Sequence, residues 1–190
     1  MSRVGKIPIY LPTGVKVTLE QDNITLEGPK GKLVKKIPST VNVALKDSEI
    51  VVTRSNNSRQ SKALHGLTRA LISNMVIGVT TGFEKRLRLI SIGRDIIQVQ
   101  NNKLTLKDKV FFSHLVTYTA PEGISLSLER EEVVERLTEV PIIVRGIDKE
   151  LVGEVAATIR RIKKPDYYKP CKGIRYEGER VRMRNTKATV

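Results

Sequence analysis

Apolar and polar residues alternate through the first third of the chain. Val15, Val17 and Leu19 are separated by polar residues, and so are Ile24 and Leu26. A period of two predicts strands with one buried face. Asp22-Asn23 between them suits a tight hairpin turn. Gly28-Pro29-Lys30-Gly31 is a strong turn signal, and residues 33–37, 41–45 and 50–53 supply further strands of an antiparallel sheet. The period then lengthens. Leu64, Leu67, Leu71 and Met75 recur at helical intervals, with Ile72 and Val76 widening the stripe. This predicts a helix over 58–77, with Ser58 as N-cap and Gly78 or Gly82 at its end.

The second part repeats the plan. Strands are predicted at 83–92, 96–100, 104–107, 115–119, 124–129 and 142–144. A helix follows Asp148, with Val152, Val155, Ala156, Ile159 and Ile162 on one stripe. The two helices superpose at an offset of 88, Leu64, Leu67, Thr68 and Leu71 over Val152, Val155, Ala156 and Ile159. The preceding strands superpose at 92, with Ile50-Val51-Val52 over Ile142-Ile143-Val144. The expected fold is therefore α+β with an internal duplication: two similar small domains, each an antiparallel sheet with one covering helix. They are expected at 1–82 and 83–164, followed by a basic extended C-terminal arm at 165–190.

Charge sharpens this division. The 190 residues carry 34 Lys+Arg against 20 Asp+Glu, a net charge of +14. Residues 1–82 hold 12 basic and 5 acidic residues, 83–162 hold 13 and 12, and 163–190 hold 9 and 3. The excess sits in the first part and the tail, and a basic chain of this kind tends to meet a polyanion. The single cysteine, Cys171, excludes an internal disulfide, and with two histidines it leaves too few soft ligands for a transition-metal centre. No apolar run is long enough to cross a membrane, and the first residues lack the apolar core of a signal peptide.

The tail from Lys163 to Arg184 has no apolar periodicity, and its prolines and glycines argue against a helix. Its residue types suit RNA. Lys and Arg neutralise phosphates, and Arg can also stack on a base. Tyr167, Tyr168 and Tyr176 offer aromatic faces to unpaired bases. Lys163, Lys164, Lys169, Lys172, Arg175, Arg180, Arg182 and Arg184 are the expected phosphate contacts, with Tyr168 and Tyr176 for stacking or anchoring. A second candidate patch is the loop from Arg54 to Lys62 with the start of its helix, contributing Arg59, Lys62, His65 and Arg69, which reads equally as an ordinary polar surface loop; Arg3 completes the expected RNA-binding set. A third is the lysine-rich turn at Gly28–Lys32 with Lys35 and Lys36, where a hairpin turn with solubilising lysines is the favoured reading.

Catalytic readings fare badly. His65, His114 and Cys171 lie far apart in the chain, and Glu129-Arg130-Glu131-Glu132 reads as a solvated turn rather than a metal site. Neither a phosphate-binding Walker loop nor a dinucleotide glycine fingerprint is present. The expectation is a protein that is not an enzyme and needs no cofactor or metal.

Several segments, in order and at matching spacing, resemble the bacterial-type ribosomal protein L6 family of the large subunit. They are the opening Met1 to Ile9, Gly28 to Leu33, Ala63-Leu64-His65-Gly66-Leu67-Thr68-Arg69, Asn74-Met75-Val76, Gly82-Phe83-Glu84-Lys85, Pro165-Asp166-Tyr167-Tyr168-Lys169 and Lys172-Gly173-Ile174-Arg175-Tyr176. The resemblance implies two similar α+β domains. It also implies a structural constituent of the large subunit that binds 23S-type rRNA by the sarcin–ricin loop, the stalk base and the translation-factor site, among neighbouring ribosomal proteins. The setting implied is a ribosome in a bacterial cytoplasm or an organelle (plastid stroma or mitochondrial matrix), with a free-standing RNA-binding regulator as the alternative. The chain departs from the family where Pro170-Cys171 replaces a single glycine, around Ile92-Gly93-Arg94-Asp95, and over Lys107 to His114. These changes suggest a divergent member.

Overall fold

The structure, a computed structural model, describes residues 5–46, 48–91, 96–107, 114–134, 137–168 and 170–184. The chain divides into two units. The first comprises the residues up to Phe83 with Ile147–Lys149, and the second Glu84–Gly146 with the residues from Glu150 onward.

The first unit contains strands β1 (Ile9–Tyr10), β2 (Lys16–Glu20), β3 (Asn23–Gly28), β4 (Gly31–Lys36), β5 (Val41–Lys46) and β6 (Glu49–Arg54), then helix α1 (Arg59–Thr80). The strands form two antiparallel sheets, ordered β1-β6-β5 and β2-β3-β4. Alternation sets the register. Ile24 faces Leu19 and Lys35, and Leu26 faces Val17 and Leu33. That puts Ile24 and Leu26 together on the core side, where both are fully buried. Ile9, Val41, Ile50 and Val52 join them from the other sheet, and Ile72, Met75, Val76 and Val79 from the helix.

The second unit contains β7 (Phe83–Ser91), β8 (Ile96–Gln100), β9 (Lys103–Lys107), β10 (Val116–Thr119), β11 (Ile124–Leu128), β12 (Glu132–Val134), β13 (Leu137–Gly146), α2 (Lys149–Ile162) and β14 (Gly173–Tyr176). One sheet runs β11-β13-β7-β14 with β12 on β13, and the other runs β10-β9-β8. The duplication shows in this order. In both units the first strand pairs with the strand before the helix, which pairs with the strand preceding it, while the second, third and fourth strands form a separate sheet. The strand match at an offset of 92 also holds in packing. Ile50 and Ile142 are buried, as are Val52 and Val144.

The helix match is corrected by one residue. The buried residues of α1 include Ser61, His65, Thr68, Ile72, Met75, Val76 and Val79, while Leu67 is 52% exposed. His65, Thr68 and Ile72 correspond to Val152, Val155 and Ile159 of α2, an offset of 87. The leucine spacing misleads because the inward line of α1 starts with polar residues that find partners. His65 Nε2 donates to the Val52 carbonyl at 2.9 Å, and Ser61 N–H donates to Ser58 Oγ, the N-cap, at 3.1 Å. At the other end the helix runs through Gly78. It stops where Gly82, at φ 75°, donates to the Ile77 carbonyl at 3.1 Å.

The turn at Gly28–Gly31 caps this helix. Lys30 N–H donates to the Val79 carbonyl at 3.0 Å, and the Lys30 ammonium donates to the Thr81 carbonyl. A cation at a helix C-terminus is favoured by the dipole, and α1 has no basic residue in its own last turn. The structure thus gives Lys30 a capping role at the end of α1. Gly28 is required by the close approach, because a Cβ there would lie 2.8 Å from the Val79 oxygen. Gly28→Ala should therefore lower unfolding free energy by about 1–3 kcal/mol, the usual range for overpacking, measured by urea denaturation. A variant as stable as the parent would show that the turn and helix end can part freely.

Candidate nucleic-acid interface

The basic C-terminal segment is anchored to the second unit. Gly173–Tyr176 pairs antiparallel with β7, with Ile174 opposite Leu89, and both side chains are fully buried. Before the strand, Asp166 N–H donates to the Lys172 carbonyl at 2.7 Å and Ile174 N–H to the Lys163 carbonyl at 2.8 Å. Beyond it, Glu177 N–H donates to the Arg86 carbonyl at 3.1 Å and Arg184 N–H to the Tyr167 carbonyl at 2.8 Å. Backbone pairing therefore orders much of the segment, where the residue pattern alone suggests a loose arm. Cys171 sits in the turn, buried, at φ 63°. That is a conformation natural to glycine and uncommon for other residues. Burial pushes its thiol upward in pKa, so it is a packing group rather than a nucleophile.

Glu179 clasps the segment to α2. Arg160 Nε donates to Glu179 Oε2 at 2.9 Å, Arg160 Nη2 donates to Oε1, and Tyr176 N–H donates to Oε2 at 2.9 Å. The Tyr176 ring lies 5.6 Å from Lys85 Nζ and 5.7 Å from the Arg160 guanidinium. Two cations therefore occupy the ring's surroundings. The Arg160 guanidinium holds the Glu179 carboxyl below the usual carboxylate range. Desolvation opposes this and the Tyr176 amide adds to it.

On the sheet, Arg175 stands directly opposite Arg88. Two like charges in register repel, and Glu139 answers them. Its Oε2 accepts from Arg88 Nη1 at 3.2 Å and its Oε1 lies 3.8 Å from Arg175 Nη2. Glu177 takes the other Arg88 nitrogen at 2.9 Å. Glu84 similarly joins Arg86 and Arg145 at 2.6 and 2.7 Å.

The expected RNA-binding residues thus separate by surroundings. Arg175 and Tyr176 are held in intramolecular contacts, and Lys163 is buried. Lys164, Tyr168, Arg180, Arg182 and Arg184 are exposed and Lys172 is half-buried. Arg184 also lies 5.9 Å from the Tyr167 ring. In the first unit Arg59 and Lys62 are exposed, His65 is buried, and Arg69 donates to the Ile7 and Pro8 carbonyls at 3.1 and 3.4 Å. Arg3 and Lys169, and the altered turn at 92–95, lie outside the described residues. Sequence reasoning did not find Arg160 and Glu179 as the clasp; their spacing carries no local motif.

No group of His, Cys, Asp or Glu among the described residues is arranged to hold a metal ion. Geometry and composition define a class: a duplicated α+β scaffold with a basic, backbone-anchored C-terminal segment. The comparisons name the family. The model of ribosomal protein L6 matches residues 11–82. The chain is 47% identical over 188 residues to the large ribosomal subunit protein uL6 of Thermoanaerobacter sp. (strain X514), covering 98% of each chain. It is similar to that of Clostridium botulinum (strain Hall) at 47% and that of Clostridium kluyveri (strain DSM 555) at 45%, again over 98% of each. The chain belongs to the ribosomal protein L6 family, structural and non-enzymatic constituents of the large ribosomal subunit.

The clasp makes stability depend on pH. Because folding lowers the Glu179 pKa, its contribution is complete above the unfolded carboxyl value of about 4.3 and is lost as pH falls through the lower folded value. Glu179→Gln should cost about 1–2 kcal/mol at neutral pH, and the deficit should close in acid. Urea unfolding of both chains at pH 7 and pH 3 checks this. A deficit that persists unchanged in acid would mean that something other than the carboxylate is at work.

Proposed function

We propose that the chain binds large-subunit rRNA mainly through the exposed cations of its second unit: Lys164, Arg180, Arg182 and Arg184, with Lys172 beside them and Tyr168 as a stacking face. One observation carries this reading. The three acidic residues of the segment are already committed within the protein. Asp166 accepts from Tyr168 N–H at 3.3 Å, Glu177 pairs with Arg88, and Glu179 pairs with Arg160. Among the described residues, Arg180 and Arg182 pair with no carboxylate, and both project from backbone that is tied down on either side. Fixed, uncompensated cations bind phosphate with little ordering cost. Contacts to phosphate and sugar dominate, and base reading is secondary.

The family resemblance supports a position by the sarcin–ricin loop and the stalk base, near translation factors. Neighbouring large-subunit proteins share the site. The bacterial relatives support a ribosome of the bacterial cytoplasm over an organellar one. A free-standing regulator would stay in light gradient fractions, whereas this reading expects co-sedimentation with the large subunit.

Deleting 163–190 would remove a strand along with the cations, so point substitutions are the cleaner test. Arg180→Ala/Arg182→Ala should weaken binding to a large-subunit rRNA fragment. The log–log salt slope should fall by about 0.7–0.9 for each phosphate no longer neutralised, with an unchanged melting temperature. An unaltered slope would remove these residues from the interface. A large thermal loss would show that they are structural.

A further inference from the structure

The span from Arg180 to Arg184 carries exposed cations, yet none of its residues is buried. Among the described residues, 180–183 make no backbone hydrogen bond, so the span is fixed only through its ends. At the far end Arg184 N–H donates to the Tyr167 carbonyl at 2.8 Å. At the near end stands a tight turn. Glu179 N–H donates to the Tyr176 carbonyl at 3.1 Å, and Gly178, at φ 76°, supplies the positive φ that a type II turn requires.

One side chain locks that turn. Glu179 Oε2 accepts from Tyr176 N–H at 2.9 Å, a second bond between the same two residues in the opposite sense. Arg160 of α2 holds the carboxylate in its turn, with Nε 2.9 Å from Oε2 and Nη2 donating to Oε1. A guanidinium fork on a carboxylate fixes direction as well as distance. With side chains 29% and 23% exposed, the pair is partly shielded from solvent. Arg180 follows Glu179 directly, so this grip sets where the arginine span leaves the sheet.

Charge and geometry predict opposite outcomes for the loss of this acid. As a charge, Glu179 lowers the positive potential beside Arg180 and opposes a polyanion. As a tie, it removes the entropic cost of ordering the span when RNA binds. Arg160 already neutralises much of its field, so the tie outweighs the charge. We propose that Glu179 is a positioning residue for RNA binding, an acid that strengthens attachment to a polyanion by holding Arg180 and Arg182 in place. The proposal rests on the rRNA-binding reading, and Glu179 acts through its neighbours rather than by touching RNA.

The test measures binding of the full chain to a large-subunit rRNA fragment over a series of salt concentrations, well below the melting temperature of every variant. Glu179→Gln removes a negative charge and keeps the size of the side chain. It should nonetheless weaken binding about threefold to tenfold, a fraction of the ordering cost of the freed residues. The log–log salt slope should stay the same, because every phosphate contact is retained. Arg160→Gln should also weaken binding, and adding Glu179→Gln to it should cost little more, since the clasp is already open. Tighter binding or a falling slope in Glu179→Gln, or losses that add in the double variant, would overturn the positioning role. If Arg180→Ala/Arg182→Ala still lowers the slope in that case, the rRNA reading stands without the clasp. If neither that pair nor any clasp variant alters binding, both fall.

Discussion

Pairing of β14 with β7 is the constraint on which the second unit's chemistry depends. A strand contributes backbone bonds only if both of its flanks are held in register, and here both are. The turn before it returns to Lys163, and the segment after it is clasped by Glu179 against Arg160. Once Ile174 is buried opposite Leu89, the alternation of the strand is settled. Arg175 must then face Arg88 and Tyr176 must face Leu87. The ion lattice around Glu139 is a consequence of that register rather than a cause of it. Exposed pairs of this kind contribute about 1 kcal/mol or less each. Their role is to make an arginine-rich sheet face tolerable, which leaves Arg180 and Arg182 as charges with no carboxylate answer among the described residues.

The duplicated architecture supplies a control within the molecule. Both units use the same strand order and cover it with one helix, yet they end their helices differently. α2 carries its own acidic start and basic finish. α1 carries neither and borrows its C-terminal cation from the turn at Lys30. One borrowed charge at the C-terminus is met within the fold. The N-terminus has no acidic residue in its first turn and is met by the N-cap instead, Ser58 Oγ accepting from Ser61 N–H.

Much of the fold was legible because periodicity reports burial directly. The strand pairs around Ile24 and Leu26, the helix after Ser58 and the repeat of the whole plan all follow from alternation and spacing. The inward face of α1 was not legible, because Leu67 is as apolar as any core residue while His65 and Thr68 are polar. Only the Val52 carbonyl, thirteen residues away in sequence, makes His65 a core residue. β14 was obscured for a related reason. Gly173-Ile174-Arg175-Tyr176 has a single aliphatic side chain, and its stability comes from a neighbour strand that composition cannot see.

The candidate site was legible as a set of residue types and less so as an arrangement. Counting cations in the tail treats Arg175 and Arg182 alike, although one is pinned by Glu139 and the other has no carboxylate partner among the described residues. The distinction depends on three acids, Asp166, Glu177 and Glu179, which in the sequence look like partial neutralisation of a basic tail. In the structure each is committed to geometry: a turn, a sheet-face arginine and a helix arginine. The acids that lower the net charge of the segment therefore also hold its backbone in place. Removing one would add charge and yet weaken the surface, because a cation that must first be ordered binds phosphate at a greater entropic cost.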